Sequence, residues 1–362
     1  MRPTRLGALV ATTSVALALV ACSSPAEPDK PLDLTLASWV FISPDQQAFM
    51  DEVEAESDGS ITFTTIENWT EPDGVEKVSD EFALTQAVTA GDIDIAFTST
   101  RSFPALGIDG FRAIEAPFLI QNYAGAYDIV TGQIGKDAVA AFDGTGLTAL
   151  SIYTGSLKYP LTAGHPLLEP ADWAGKHIPL YASEDDGVAA RTVTALGGEP
   201  VEGGVHLIDD LNAGLYDAGF DSLYDVAAGG AGTAGPYPTS NVTFWPSILF
   251  YDMNSTRFDS LTDAQQQIIR TAAEHATEGE SSPDPDLDVA GSVCNAGARF
   301  GTATAEQLAA LRSAVQPVYD WLESDPAEAP VLQALEQIAA DHPEPDPIEV
   351  PENCAWDPGL AG

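Results

Sequence analysis

The sequence predicts an α/β protein of two lobes, each with a mixed, mainly parallel sheet flanked by helices. Its 362 residues are enough to bury a large core and to divide into two lobes. From residue 32 onward, strand-like and helix-like segments alternate in two successive stretches, which favours mainly parallel sheets. A strongly apolar segment at 243–251 follows the second stretch, and it is predicted to return the chain to the first lobe.

The first stretch opens with a strand at 32–37, where leucines alternate with other side chains. Ser43 and Pro44 then supply an N-cap and a first-turn proline for a helix over 47–56. A β-branched and aromatic run predicts the second strand at 61–66. The remaining predicted elements are a helix over 76–90 stopped by Gly91, a strand at 92–98, a helix over 123–142 and a strand at 147–153.

The second stretch repeats this alternation. Its predicted elements are a strand at 177–181, a helix over 185–196, a short helix over 207–213 and a strand at 218–223. Beyond the returning strand, the sequence predicts a threonine-capped helix over 262–278, a Pro/Asp linker at 281–288 and two C-terminal helices over 304–323 and 329–341.

The N-terminal segment predicts export and a lipid anchor. Two arginines precede an apolar run over 6–21, which is typical of a secretory signal and short for a membrane span. Cys22 follows this run, and the ending resembles the bacterial lipobox, in which the cysteine carries diacylglycerol. We therefore expect a signal peptide at 1–21, a spacer at 22–31 and attachment to the extracytoplasmic face of the cell membrane. A secretory signal with an incidental cysteine is the alternative.

The charge of the chain excludes one class of partner. Fourteen basic residues against 55 acidic ones give a net charge of −41, and removal of 1–21 would leave −43. Such a surface repels nucleic acids and anionic headgroups. An anionic solute would also have to approach against this field.

The cysteines and histidines predict a disulfide and no metal site. With Cys22 lipidated, Cys294 and Cys354 remain as an even pair. In an oxidising compartment a disulfide between them would pin the C-terminal tail, and two free buried thiols are the alternative. The five histidines are scattered, with none at ligand spacing from either cysteine.

No motif predicts a cofactor or a catalytic centre. Residues 230–235 match G-x-G-x-x-G, but Pro236 follows, so no helix begins there to hold a phosphate. The acidic run at 284–288 starts like a calcium loop, yet the required glycine and glutamate are missing downstream. Without a nucleophile elbow or a distinctive carboxylate pair, the sequence favours a binding protein over an enzyme; a secreted hydrolase is the weaker alternative.

Six phrases resemble those of the DctP-type solute-binding proteins of TRAP transporters. They are VTAGDIDIA at 88–96, EAPFLI at 115–120, EPADWAGK at 169–176, ALGGEPV at 195–201, NAGLYD at 212–217 and NSTRFDSLTDAQ at 254–265. Each phrase alone is weak, but all six occur in the order that the family shows, between about residues 32 and 273.

The resemblance implies a two-lobed, periplasmic-binding-protein-like fold of the type II kind, with the ligand cleft between the lobes. The lobes are then expected at 32–150 plus 240–280 and at 151–239 plus 281–355, followed by a tail at 356–362. The implied function is to capture a small polar metabolite and to deliver it to an integral-membrane TRAP permease. In this family the metabolite is usually an organic acid, and the binding protein is expected to be a monomer. The binding protein of an ABC importer or of a sensor is the alternative.

The chain departs from the family pattern where the ligand is expected to bind. Pro179 stands where members carry an arginine that holds the ligand carboxylate, and Lys158 is the nearest match to a second family arginine. Asp221 stands where the family often has asparagine. Either Lys158, Arg101 or Arg191 binds the ligand carboxylate in place of the missing arginine, or the solute is neutral, zwitterionic or cationic. The second interpretation is slightly favoured.

A set of aromatic and charged side chains is therefore predicted to line the ligand site, with ordinary core packing as the alternative for each aromatic. These residues are Trp39, Trp69, Phe97, Arg101, Lys158, Tyr181, Asp221 and Tyr224.

Overall fold

The computed structural model describes residues 31–70, 81–180, 187–203, 206–229, 236–278 and 285–357. Within these ranges the chain forms nine strands and fourteen α-helices, and the predicted α/β class is confirmed. No helix in the described ranges is long and apolar enough to cross a bilayer. Cys22 and Tyr181 lie outside the described residues.

The first lobe is built on a five-stranded sheet in the order β2-β1-β3-β9-β4. Its strands are β1 (Leu32–Ala37), β2 (Ile61–Ile66), β3 (Ile95–Ser99), β4 (Leu147–Leu157) and β9 (Pro246–Asn254). Strands β2, β1 and β3 run parallel, whereas β9 pairs antiparallel with β3 and β4. The predicted returning strand is therefore β9, inserted in the middle of the first-lobe sheet. Because the first three strands are parallel, their carboxyl ends share one edge.

Six helices cover the two faces of this sheet. They are α1 (Pro44–Glu56), α2 (Glu81–Ala90), α3 (Tyr123–Thr131), α4 (Gln133–Ala140), α9 (Ser255–Asp259) and α10 (Asp263–Glu278). Helix α1 begins at the predicted cap, where the Ser43 hydroxyl accepts a hydrogen bond from Gln46 N and the Gln46 side chain accepts one from Ser43 N. On one face of the sheet, Phe49 of α1 and Ile269 of α10 pack against the strands. On the other face, a larger aromatic cluster surrounds Phe250 of β9.

The second lobe contains two short strand pairs. They are β5 (Tyr159–Thr162) with β8 (Ala218–Asp221), which are antiparallel, and β6 (His177–Leu180) with β7 (Glu199–Glu202), which are parallel. The backbone N–H of Asp217 donates to the carbonyl of His177 at 3.1 Å and joins the two pairs. The helices of this lobe are α5 (Pro170–Trp173), α6 (Val188–Leu196), α7 (Leu207–Ala213), α8 (Leu223–Gly229) and α11 (Pro285–Asn295).

Two chain segments cross between the lobes side by side. Strand β4 continues past the predicted boundary at residue 150, and the crossing lies at Lys158, between β4 and β5. Lys158 N donates to the Trp245 carbonyl, and the Lys158 carbonyl accepts from Phe244 N, each at 2.9 Å. This pair of backbone hydrogen bonds holds the two crossings side by side, and we refer to this crossing point as the hinge.

The C-terminal region closes over both lobes with helices α12 (Ala305–Ala314), α13 (Gln316–Ser324) and α14 (Ala329–Asp341). Helix α13 contacts α6 of the second lobe, while α14 contacts α3 of the first. Cys294 and Cys354 form a disulfide, with Cα atoms 5.6 Å apart, that ties the tail to α11.

Three predicted segments were wrong in detail. The helix over 123–142 is broken at Gly132, whose backbone is extended and where any side chain would collide with the Asp128 carbonyl. The helix over 304–323 is broken at Val315, because Pro317 has no N–H to continue the helical hydrogen bonds. The linker prediction fails from residue 285, since Pro285 is the first residue of α11, a position that tolerates proline.

Candidate ligand-binding site

Two of the predicted residues meet at the carboxyl edge of the first-lobe sheet. Trp39 follows β1, Arg101 follows β3, and the two strands are parallel neighbours. The Arg101 guanidinium carbon lies 5.8 Å from the centre of the Trp39 ring, a cation–π distance. Crevices at the carboxyl ends of parallel strands are where open α/β sheets bind ligands.

Arg101 is fixed by a buried carboxylate from α2. Its Nε lies 2.6 Å from an Oε of Glu81, whose side chain is only 2 % exposed, while Arg101 is 18 % exposed. Glu81 also accepts hydrogen bonds from the backbone N–H and the hydroxyl of Ser99, at the end of β3. The guanidinium therefore has one edge anchored and a defined direction, as a ligand-binding arginine requires.

Arg101 lines a cavity of about 410 Å³ between the lobes. The first lobe contributes the turn after β3 and the segment at 111–115, the second contributes the start of α6, and the C-terminal region contributes α13 and the residue after it. The lining residues are Thr100, Arg101, Pro104, Ala105, Phe111, Arg112, Glu115, Gly187, Val188, Ala189, Trp321 and Asp325. Its volume lies in the usual range for small-molecule sites.

Arg112 is a second arginine of this cavity, and sequence reasoning missed it. Its Nη1 lies 3.7 Å from Glu328 and 3.8 Å from Asp109. Glu328, at the start of α14, is fully buried and accepts the backbone N–H groups of Gly110 and Ala113, each at 2.9 Å. No local pattern marks Arg112, because the residue that positions it lies 216 positions later in the chain.

The predicted pair Lys158 and Asp221 lies at the hinge. The Lys158 Nζ is 3.3 Å from an Asp221 carboxylate oxygen, and both side chains are about one-fifth exposed. Burial raises the pKa of Asp221, the Asp225 carboxylate raises it further, and Lys158 acts in the opposite direction. Lys158, one of the residues predicted to bind a ligand carboxylate, is therefore already paired with an anionic side chain.

The other predicted aromatics are not gathered at the cavity. Phe97 is half-buried, with its ring centre 5.2 Å from that of Tyr153 and 5.4 Å from that of Tyr251, on the sheet face covered by α1 and α10. Trp69 is buried in the large core, as the packing alternative predicts. Tyr224 is 56 % exposed on α8.

Arg191, the third candidate for a relocated clamp, lies on α6. Its guanidinium carbon is 4.1 Å from the centre of the Trp321 ring, and Trp321 lines the cavity. Arg191 therefore contacts one residue of the cavity wall, Trp321, but does not itself line the cavity.

One more acid is buried beneath the site. Asp252 on β9 is fully buried, and its Oδ1 accepts the Thr98 hydroxyl at 2.7 Å. Burial raises the pKa of Asp252 to about 7, with a further contribution from Glu81.

A second cavity of about 440 Å³ lies on the far side of the hinge, where the tail at 344–349 covers it. Its lining combines amides, hydroxyls and apolar groups with the carboxylates of Glu344, Asp346 and Glu349, and among the described residues that line it there is no lysine, no arginine and none of the predicted site residues. No group of three or more His, Cys, Asp or Glu side chains in the described ranges is arranged to hold a metal ion. The cavity that contains Arg101 is therefore the better candidate site.

Comparison with known proteins agrees with this architecture. The C4-dicarboxylate-binding periplasmic protein DctP of Rhodobacter capsulatus is 24 % identical over 201 residues, which are 54 % of this chain and 55 % of that protein. The chain thus spans about half the length of this curated relative.

Two solved structures share the fold. A TRAP periplasmic solute-binding protein from Sulfitobacter sp. NAS-14.1, with bound β-D-galacturonate, has a TM-score of 0.71 at 17 % identity, covering 84 % of this chain and 99 % of that one. The sugar acid binding protein DctPAm from Advenella mimigardefordensis, in complex with galactonate, has a TM-score of 0.73 at 18 % identity, covering 86 % and 99 %.

The family model for DctP, "Bacterial extracellular solute-binding protein, family 7", matches residues 43–325, most of the chain. That span includes all six phrases that carried the resemblance, most of both lobes and the hinge, while β1 and α14 lie outside it. The chain belongs to the bacterial extracellular solute-binding protein family 7.

Proposed function

We propose that this protein captures a small polar metabolite between its lobes, outside the cytoplasm, and delivers it to a TRAP-type permease as a monomer. The observation that carries the proposal is the 410 Å³ cavity bounded by both lobes and lined by Arg101. Membership of a solute-binding family supports it. The protein makes and breaks no bond in this role: it binds, encloses and releases.

The two hinge crossings at Lys158 and Trp245 provide the means of enclosure. Rotation about such a hinge brings the wall of the first lobe, with Arg101 and Arg112, toward the start of α6 on the second. A ligand that contacts both walls stabilises the closed arrangement by its differential affinity for it.

The charges of the site favour a solute that is not a dianion. Pro179 in β6, at the family arginine position, has no side-chain donor, and Lys158 is paired with Asp221. Two related structures hold galacturonate and galactonate, which are organic acids with a single carboxylate. We propose that the solute here carries at most one carboxylate to be held by an arginine.

Lipidation of Cys22 would keep the protein at the membrane surface, close to its permease. The polar, proline-rich spacer at 22–31 would let the lobes reorient for docking. Intact-mass spectrometry of membrane-extracted protein tests this directly. Diacylglycerol on an N-terminal Cys22 is expected, and an unmodified mature N-terminus rules the anchor out.

A ligand panel tests the central proposal. Thermal unfolding of the folded protein is measured with sugar acids, hydroxy acids, amino acids, polyols and polyamines at millimolar concentration. A ligand at a hundred times its Kd stabilises the protein by about 2.7 kcal/mol, which is a shift of several degrees at most. We expect one chemical class to shift the midpoint, and its affinity to fall in Arg101→Met. No shift with any class would overturn the solute-trap proposal.

A further inference from the structure

We infer that Asp286 is a positioning residue of the hinge: its buried carboxylate ties the first-lobe helix α3 to the second lobe and restricts how the lobes rotate against each other. This inference rests on the proposed function, because it concerns the motion by which the lobes enclose a solute. It follows from two tyrosine hydroxyls that donate to the same Asp286 oxygen from different lobes.

The Asp286 carboxylate lies where the two lobes meet. Asp286 is the second residue of α11 in the second lobe, and only 1 % of it is exposed. Its Oδ2 accepts the hydroxyl of Tyr123, the first residue of α3, at 3.0 Å, and the hydroxyl of Tyr159 in β5 at 2.8 Å. The first of these hydrogen bonds joins the two lobes, whereas the second lies within the second lobe.

Both hydrogen bonds lie beside the crossing between β4 and β5. Tyr159 is the residue directly after Lys158, where the chain crosses. The Tyr123 hydroxyl also accepts the backbone N–H of Leu157, the last residue of β4, at 3.4 Å. Atoms next to a rotation axis move little when two lobes rotate about it. The contact can therefore persist during opening and closing while it resists rotation about other axes.

The contact is also shielded from water. Tyr159 belongs to the apolar core of the second lobe, against which Tyr123 and the tail residues Ile348 and Val350 pack. Burial raises the pKa of Tyr159 well above its ordinary value, and the Asp286 carboxylate raises it further, so this hydroxyl keeps its proton and remains a donor. Loss of a hydrogen bond to a charged acceptor changes the ratio between two arrangements by about tenfold or more.

Two matched substitutions separate positioning of the lobes from ordinary packing. Tyr123→Phe and Tyr159→Phe each remove one hydroxyl from the same Asp286 oxygen and leave the ring in place. Each should lower the free energy of unfolding, because each leaves the buried carboxylate with one donor fewer. Only Tyr123→Phe removes a hydrogen bond between the lobes, so only this variant should alter their relative arrangement.

Electron paramagnetic resonance measures that arrangement as a distribution of distances between two spin labels. The labels are attached at Ala55→Cys, exposed on α1 of the first lobe, and at Ala213→Cys, exposed on α7 of the second, in the full chain with Cys22→Ser and the native disulfide intact. The protein is measured without added solute. We expect Tyr123→Phe to increase the share of distances outside the wild-type peak about tenfold, and Tyr159→Phe to leave the distribution unchanged.

A third substitution checks that the effect passes through Asp286. Asp286→Leu removes the shared acceptor, so Tyr123→Phe should have no further effect on the distance distribution in that background. Circular dichroism of each variant shows that a changed distribution does not reflect a lost fold. If Asp286→Leu does not fold, the two tyrosine variants alone decide the outcome.

The results separate this inference from the proposed function. An unchanged distribution in Tyr123→Phe, or equal broadening in both tyrosine variants, overturns the assignment of Asp286 to the hinge. Neither result affects the solute-trap proposal, which fails when no class in the ligand panel binds.

Discussion

The ion pair between Arg101 and Glu81 should be strongly coupled, although it lies at the edge of a binding cavity. The Glu81 carboxylate is 2 % exposed, so removal of its partner in Arg101→Met leaves a buried charge whose remaining hydrogen bonds come from Ser99. Breaking a buried pair typically costs 3–5 kcal/mol. Because Arg101 is 18 % exposed and Ser99 still donates twice, we expect about 2–3 kcal/mol here.

The double variant distinguishes coupling from simple loss of contacts. Glu81→Gln removes the buried charge, so adding it to Arg101→Met should recover most of the lost stability. We expect the double variant to lie within about 1 kcal/mol of the wild type, with a coupling energy near 2 kcal/mol. Urea unfolding followed by circular dichroism measures the free energy of unfolding of all four proteins.

A second ion pair serves as the matched control. Arg257 Nε lies 3.1 Å from Asp94, with side chains 34 % and 19 % exposed. Its coupling should stay at or below about 1 kcal/mol, because solvent screens the charges. Additive effects at Arg101 and Glu81, or a double variant as unstable as Arg101→Met, would refute the reasoning.

Three further predictions concern the tail, the sheet and the hinge. The disulfide between Cys294 and Cys354 spans 60 positions, so its replacement by two serines should lower the free energy of unfolding by about 4 kcal/mol on the chain-entropy estimate; a urea-unfolding loss below about 1 kcal/mol would contradict this. Burial raises the pKa of Asp252 to about 7, above its unfolded value of about 3.9, so its contribution to stability is complete below about pH 4 and is lost as pH rises to 7. The free energy of unfolding of Asp252→Asn, relative to that of the wild type, should therefore rise by a few kcal/mol between pH 4 and pH 7.5. If the two proteins gave parallel curves of stability against pH, Asp252 would not be the group responsible. Asp221→Asn removes the partner of Lys158 at 3.3 Å, and because neither residue lines the cavity that contains Arg101, it should leave the affinity for the solute found in the ligand panel unchanged in isothermal titration; a changed affinity would place the pair in the binding site.

Local patterns were sufficient for much of the first lobe. Strands β1 and β2 have the predicted bounds, and α1 begins at the predicted Ser43 cap. In these segments hydrophobic alternation, capping and turn residues all favour the same structure. The predictions failed where a single residue interrupts a continuous pattern, as Gly132 and Pro317 do in their helices. Strands β5 and β7 were missed; each has only four residues and carries a proline, and β6, which is equally short and also carries a proline, was predicted from the turn that precedes it.

The candidate site was predicted only in part. Trp39 and Arg101 were identifiable because each directly follows a predicted parallel strand, and such ends share an edge. Phe97 lies within the strand itself, so the period-two alternation turns it toward the face covered by α1 and α10. Trp69 is equally aromatic and lies in the core, because residue type alone does not distinguish a ligand wall from ordinary packing.

The sequence by itself determined the α/β class, the family and the order of the elements, since these depend on periodicity and on phrases a few residues long. It also showed that the family arginine is replaced by Pro179. Only the tertiary structure decided which charges meet: Arg101 with Glu81, Lys158 with Asp221, and Arg112 with Glu328. Each of these pairs joins separate elements of the fold, and the last two are 63 and 216 positions apart. Electrostatic environment depends on distance in space and on burial, and local sequence patterns specify neither.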